Sequence, residues 1–376
     1  MCEGNVGMVL QGDSDINLNR SRSKKKKTVE NGNWRPWSEL PEALLYLIMK
    51  QLGTIDYLLF GRVCRTWRLY AVAYRQEFMA SQHPLVFFMS KGTKTSCYFY
   101  NIFDGRKYKT TLSHIEKKLC SGISCGYLVV KDKKERPDSN TLLLNPFTKH
   151  ELRFPSLPIG TGRIILVSLA KPVPEFAIIC SSQWCLQFCR STDVSWTLYR
   201  HDHPIVDITV FKSKIYVISM YGEIGMLHLN SHPSVTMLKV QRIANLNPSL
   251  KLQLLGSDEQ LRLICRIGDN YEVYVLNFLK MEWVQMQNFG GQTLFQDHIM
   301  GSGFSNITIA KDREQPSNCL YRYKHDGKVI FHRFLYDRDP QFFPIMHGNR
   351  MPDAFRIKPT WFFPHLSCNV DSPSED

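Results

Sequence analysis

Six times along this chain an apolar strand runs into a polar or Gly/Pro turn and out again into a second strand. The pattern stands at YNIFDGRKYKTTL from Tyr100, LNPFTKHELRF from Leu144, CRSTDVSWTLY from Cys189, LNSHPSVTMLKV from Leu229, LNFLKMEWVQM from Leu276 and KHDGKVIFHRF from Lys324. Successive starts lie 44, 45, 40, 47 and 48 residues apart. A hairpin that returns at a period in the forties demands a repeat-built architecture, because one such unit cannot bury its own apolar face and must stack on the next. With several strands per unit, the arrangement that satisfies this is an all-β propeller, whose blades are four-stranded sheets set around an axis. The spacing predicts about six blades, with seven as the upper count. A β-sandwich with long loops is the structural alternative, and it leaves the spacing unexplained.

Short runs rich in Val, Ile, Leu, Tyr and Phe supply the strands, separated by turn residues. They include Leu85 to Met89, Cys97 to Phe103, Gly126 to Val130, Thr141 to Leu144, Ile164 to Leu169, Phe176 to Cys180, Cys185 to Cys189, Lys214 to Ser219, Leu261 to Arg266 and Glu272 to Asn277. Upstream the pattern is different. From Leu40 to Tyr74, 23 of 35 residues are apolar against 43% for the whole chain, at helical rather than strand spacing. Pro41 suits a first helical position, Leu44, Ile48 and Leu52 recur at i+4, and Gly53 ends the run. Thr54 can cap a second helix through Tyr57, Leu58 and Phe60, and Val63, Cys64, Trp67 and Tyr70 continue a third. Ala43 to Met49 are all apolar, so the first helix wants burial on most sides. Three short helices expose too much of their own surface to provide it, so part of this module faces another protein or the rest of the chain. The sequence thus divides into a polar tail, 1–33, a small all-α module, 34–80, and the strand-rich remainder, 81–376.

The helical segment WSELPEALLYLIMKQLGTIDYLLFGRVCRTWR resembles the F-box, with its Leu-Pro opening at Leu40 and Pro41 and its Val-Cys-x-x-Trp ending at Val63, Cys64 and Trp67. That resemblance implies docking on a Skp-type adaptor and through it on a cullin. Leu40 and Pro41 lead into the implied interface, with Ile48, Leu52, Leu58, Val63 and Cys64 as its anchors. Leu44 and Trp67 are assigned to the module's own core. A helical cap packed on the downstream sheets is the plainer reading of the same residues.

The remainder resembles the plant F-box-associated, KIB-type propeller domain, a kelch-like relative. CSGISCGYLVVKD and LLLNPFTKHELRFPSLP are similar to that family's early glycine-containing strand and its Asn-Pro-x-Thr turn. PIVDITVFKSKIYVISMYGEIGMLHL, RIGDNYEVYVLNFLKMEWVQMQNFGGQTLF and PTWFFP follow in the family's order. Together the two resemblances imply a substrate-recognition subunit of a Skp/cullin/F-box ubiquitin ligase, with an unidentified protein as its target. The implied subunit is non-catalytic.

The remaining features narrow the classes. Gly290 and Gly291 form the only Gly-Gly pair, so kelch signatures are degenerate. The net charge of +13 tempts one toward nucleic acid, yet residues 1–33 and 34–83 each carry six basic and four acidic groups. Most of the surplus is therefore dispersed over the strand region. It draws no nucleic-acid-reading element, and a basic nucleic-acid-binding or non-ligase scaffold remains the alternative class. The tail holds one basic run, Lys24, Lys25, Lys26 and Lys27, a candidate nuclear-localisation signal. No uncharged apolar run reaches a membrane span, no apolar core follows the basic N-terminal residues, and the 11 cysteines lack paired spacing. The expectation is a nuclear or cytoplasmic chain with reduced thiols and no membrane partner. Cys120 with Cys125, and Cys180, Cys185 and Cys189, show no CxxC spacing, and His201-Asp202-His203 has no evident third ligand, so neither metal nor cofactor is expected. Walker, GxSxG and HExxH motifs are absent from the sequence.

Overall fold

The structure is a computed structural model. It describes residues 37–296 apart from short stretches between elements, and beyond them 305–307, 319–323, 329–333, 341–343 and 360–363. A short 3-10 turn at Trp37–Glu39 leads into α1 (Glu42–Gln51), α2 (Thr54–Phe60), α3 (Arg65–Ala73) and α4 (Arg75–Ala80). Pro41 is the residue before α1 rather than its first turn, and its carbonyl accepts from the Leu44 and Leu45 N–H groups at 2.9 and 3.1 Å. Glu42 in the first turn and Lys50 in the last complement the helix dipole. The first helix stops at Gln51, ahead of Gly53. Cys64 caps α3, its Sγ accepting from the Trp67 N–H at 3.5 Å.

Six sheets follow. The first holds β1 (Leu85–Met89), β2 (Ser96–Tyr100) and β3 (Lys107–Thr111). The second is β4 (Lys118–Ser124), β5 (Tyr127–Asp132), β6 (Asn140–Leu144) and β7 (Glu151–Pro155). The third is β8 (Ile164–Leu169), β9 (Glu175–Ser182), β10 (Cys185–Arg190) and β11 (Thr197–Arg200). The fourth is β12 (Ile205–Phe211), β13 (Lys214–Ser219), β14 (Ile224–His228) and β15 (Ser234–Met237), and the fifth β16 (Lys251–Ser257), β17 (Gln260–Ile267), β18 (Asn270–Asn277) and β19 (Glu282–Gln285). The sixth joins β20 (Thr293–Gln296), β21 (Ser305–Ile307), β22 (Cys319–Tyr323), β23 (Val329–Arg333) and β24 (Gln341–Phe343). The last strand, β25 (Thr360–Phe362), returns to the first sheet and pairs with β1, Leu85 opposite Phe362 and Phe87 opposite Thr360.

Five sheets have the four-stranded antiparallel form of a propeller blade. The sixth departs from it, with five strands in the order β21-β20-β22-β23-β24 and a parallel β20–β22 pair. Among the described residues the regular blades therefore number five, against about six expected, because a parallel pair cannot belong to a simple up-and-down meander.

Burial explains the composition of the strands. β1 is buried at every position and β13 at all but its first, since these strands lie between two neighbouring sheets and read as continuous apolar runs. The apolar core forms layers between sheets rather than one centre. Ile179, Phe188 and Ile165 of the third sheet meet Ile208, Val217 and Leu227 of the fourth, and Phe211, Tyr216 and Ile218 of the fourth meet Leu254, Leu263 and Leu276 of the fifth.

The inner strands run parallel to one another. The Leu254 N–H donates to Asp207 Oδ2 at 2.7 Å and the Gly256 N–H to Thr209 Oγ1 at 3.3 Å, a register that advances in the same direction along β12 and β16. The connections between successive sheets consequently gather at the end of the ring where the inner strands begin. The tight turns β2–β3, β4–β5 and β12–β13 lie at the opposite end. The chain reaches β1 from α4 through only residues 81–84, which places the helices at the tight-turn end. Asp56 on α2 stands 3.8 Å from Arg106 of the β2–β3 turn, and Ile55 is buried among Phe87, Phe99, Tyr108 and Phe362.

Candidate functional site

The helical module closes its own core. Leu45 and Met49, four residues apart on α1, point inward against Tyr57, Phe60, Trp67, Tyr70, Ala71 and Phe78. The rings order this cluster: Tyr57 stacks on Phe78 with centroids 3.9 Å apart, and Phe60 lies 4.6 Å from Trp67. The Tyr57 hydroxyl donates to the Ala71 carbonyl, and the Trp67 Nε1–H donates to the Trp37 carbonyl at 2.8 Å, so the polar ends of the buried aromatics are satisfied. Tyr46 donates to Glu77 Oε1 at 3.0 Å and lies under Lys50 Nζ at 4.3 Å.

With the core filled, the apolar side chains left on the surface carry the information. Leu44 and Leu47 on α1, Val63 before α3, and Leu69 and Val72 on α3 are between 46% and 63% exposed. The residues singled out in the sequence fall into three groups. Pro41 and Val63 are exposed, while Leu40, Ile48, Leu52 and Cys64 are half-buried and pack against the module's core. Leu58 lies on α2, and its side chain is outside the described residues, as are Lys24 to Lys27. Trp67 sits in the core, but Leu44, assigned to the core, does not: one residue of helix is 100°, and Leu45 takes the inward position instead. Leu47, Leu69 and Val72 were not singled out. The signal for Leu47 was the unbroken apolar run from Ala43 to Met49, and for the other two it was their i, i+3 spacing on the side of α3 away from Trp67 and Tyr70.

The sheets show little that points to catalysis. Burial pushes the Cys189 thiol up to about 11, helped by Asp193, and the Cys265 thiol up to about 12, helped by Glu272. Thiols so held are protonated at neutral pH, the wrong state for a nucleophile. Among the described residues no group of three or more His, Cys, Asp or Glu side chains could hold a metal ion, and no helix is long and apolar enough to cross a membrane. His201 and Asp202 lie in the connection entering β12, and His203 is outside the described residues.

One buried ion pair stands at the inner strands. Arg163 Nη1, just ahead of β8, donates to Asp207 Oδ2 at 2.6 Å and to the Leu254 carbonyl at 3.0 Å. Three successive sheets thus meet at one guanidinium. Burial pushes the Asp207 carboxyl up, outweighing the opposing pull of Arg163 and of the Leu254 and Ile208 N–H groups. The pair is tied off on the backbone, a structural pin rather than an acid waiting for substrate.

Comparison with known proteins matches both parts. Residues 37–71 match the F-box domain, and residues 99–337 match the KIB1-4 β-propeller. An F-box/kelch-repeat protein of Arabidopsis thaliana is 24% identical over 357 residues, spanning 86% of this chain and 88% of its own. A probable F-box protein of the same plant is 21% identical over 373 residues, spanning 90% and 99%. Among solved structures, TolB from Acinetobacter baumannii covers 70% of this chain and 65% of its own at a TM-score of 0.36 and 11% identity, a likeness too slight to carry argument. Since the KIB1-4 match takes in more than half of the chain, and the F-box match falls on the helices that lead into those sheets, this chain belongs to the KIB1-4 β-propeller family and carries an F-box domain.

Proposed function

We propose that this protein is the substrate-recognition subunit of a Skp/cullin/F-box ubiquitin ligase. The observation that carries the reading is an F-box whose core is complete in itself and which still exposes Pro41, Leu44, Leu47, Val63, Leu69 and Val72. Exposed apolar surface on a small, well-filled module fits a protein interface, and F-box domains bind Skp adaptors. In this reading α1 and α3 dock the adaptor, the adaptor reaches the cullin, and the sheets hold a protein target. Catalysis is by proximity: a ubiquitin-loaded conjugating enzyme meets target lysines at high effective concentration, and this chain supplies no reacting group.

The test uses the exposed residues, because Ile48 also packs on the core. The full chain with Pro41→Ala and Val63→Asp is expected to lose adaptor in a pull-down while its thermal unfolding stays within a degree or two of wild type. Adaptor retained at wild-type level overturns the proposal. A non-ligase scaffold or nucleic-acid binder predicts that retention, and binding to random DNA with a steep salt dependence identifies the latter. Lys24 to Lys27 are proposed as a nuclear-localisation signal of a chain shared between nucleus and cytoplasm. Deletion of residues 20–27 with no change in nuclear partition removes that assignment.

A further inference from the structure

At the end of the ring away from the helices, the fourth sheet bears a cavity of about 270 Å³. Its walls come from the connection entering β12, the β13–β14 turn and the segment after β15. His201, Asp202, Glu223 and Arg242 supply the polar side, and Ile224, Met237 and Leu238 the apolar side. The turn is tightly built. The Ser219 N–H donates to the Glu223 carbonyl at 2.9 Å, and Ser219 Oγ accepts from the Tyr221 and Glu223 N–H groups at 3.3 and 3.2 Å. Gly222 adopts φ +75°, and a Cβ there would stand 2.4 Å from Leu246 Cδ2, so the turn and the following connection are pressed together. These bonds hold the Glu223 backbone at the cavity wall.

The Glu223 ion pair is asymmetric. The Glu223 side chain is 18% exposed, whereas its partner Arg242 is 71% exposed. Ser219 Oγ also donates to Glu223 Oε2 at 3.5 Å, but a mostly buried carboxylate still favours a cation beside it, and a guanidinium so open to water exchanges at small cost. Asp202 adds a second carboxylate to a lining whose basic groups are Arg242 and the His201 ring, so with Arg242 displaced the two acids favour a cation over an anion. Its apolar wall suits a long aliphatic stem with a charged head.

Resting on the reading that the sheets hold a protein target, we infer that this cavity receives an arginine side chain of the target. The incoming guanidinium takes the place of Arg242 on Glu223, its stem lies along Leu238 and Met237, and Asp202 contributes a second negative charge. Arg242 is then a tethered stand-in for the ligand. Its position at the end opposite the F-box leaves the adaptor and an extended target segment room to bind together.

The probe is the capped tripeptide acetyl-Gly-Arg-Gly-amide, with its citrulline counterpart as a neutral isostere, titrated against the full chain and followed by ligand-detected NMR. The arginine peptide is expected to bind and the citrulline peptide not. Arg242→Ala should tighten the arginine peptide about fivefold, the equivalent of about 1 kcal/mol for an exposed competing pair. Glu223→Gln should weaken it at least tenfold, and Asp202→Asn, at an exposed position, should weaken it without touching the turn. A gain of binding in Arg242→Ala cannot arise from unfolding. Equal binding of the two peptides, or no gain in Arg242→Ala, overturns the inference. Adaptor pull-down of the same variants stays at wild-type level, so failure here leaves the ligase reading standing, and failure of the adaptor test leaves this cavity's chemistry intact.

Discussion

Asp207 shows how much of this ring depends on single side chains. Its carboxylate takes one bond from Arg163 and one from the Leu254 N–H, so the third, fourth and fifth sheets share it. Because burial raises this carboxyl above the ordinary range, ionising it costs more in the folded chain than in the unfolded one. The pair's contribution is therefore register rather than net stability. Removing one partner is another matter, since it strands the other charge. Asp207→Ala is expected to lower stability by about 3–5 kcal/mol in urea unfolding, and Arg163→Met combined with Asp207→Leu to recover most of that loss. A single variant as stable as wild type would remove the pin. Asp207 is visible in the sequence as the one acid inside IVDITVF, a charge that a buried strand does not carry without a partner. Arg163 is not, because its role comes from a neighbour 44 residues away that only the ring brings near.

Elements differ in how plainly they can be read. Inner and middle strands such as β8 and β13 carry unbroken apolar runs of four residues and emerge from composition alone, whereas β11, β15 and β19 form outer edges, half exposed, and TLYR, SVTM and EWVQ look like loop. The recurrent hairpins found them only through spacing. Turn chemistry was equally quiet at Lys212 and Ser213, which join β12 to β13 with φ values of 46° and 60° where Asn-Gly would be the recognisable pair. In the helices, the Leu-Pro to Trp frame located the module, but facing at single positions required coordinates, as Leu44 and Leu45 show. A close approach of two elements was wholly hidden. A Cβ on Gly256 of β16 would stand 2.3 Å from the Val210 carbonyl of β12, so even Ala forces the inner strands apart. Gly256→Ala is expected to cost about 1–3 kcal/mol by thermal or urea unfolding. An unchanged midpoint would mean that β12 and β16 sit farther apart than this.

At the scale of the molecule, the surplus of positive charge and the closure of the ring have separate consequences. The charge is dispersed over the sheets, and it favours acidic approach surfaces on a partner without defining a site. The cavity on the fourth sheet is locally acidic, so local chemistry there opposes the global sign. Closure is mechanical. Trp361 and Phe362 are almost fully buried, and Phe362 lies in the same cluster as Ile55 of α2. A chain ending before residue 360 leaves the β1 edge unpaired and uncovers that cluster. Such a truncation is expected to lower the thermal midpoint, broaden the transition and bind an apolar dye, while a sharp transition at the wild-type temperature would show that β25 is dispensable.

The return of β25 to β1 also sets an order in time. A ribosome delivers Leu85–Met89 early and Thr360–Phe362 last, so the first sheet is the last to be completed. The F-box precedes both, with Leu45, Met49 and Trp67 filling its core from within its own short span. The helical module is thus complete while the ring is still open. A nascent or prematurely ended chain carries a finished helical module together with a bare apolar strand edge, and that edge is what distinguishes it from the finished protein to a chaperone or a protease.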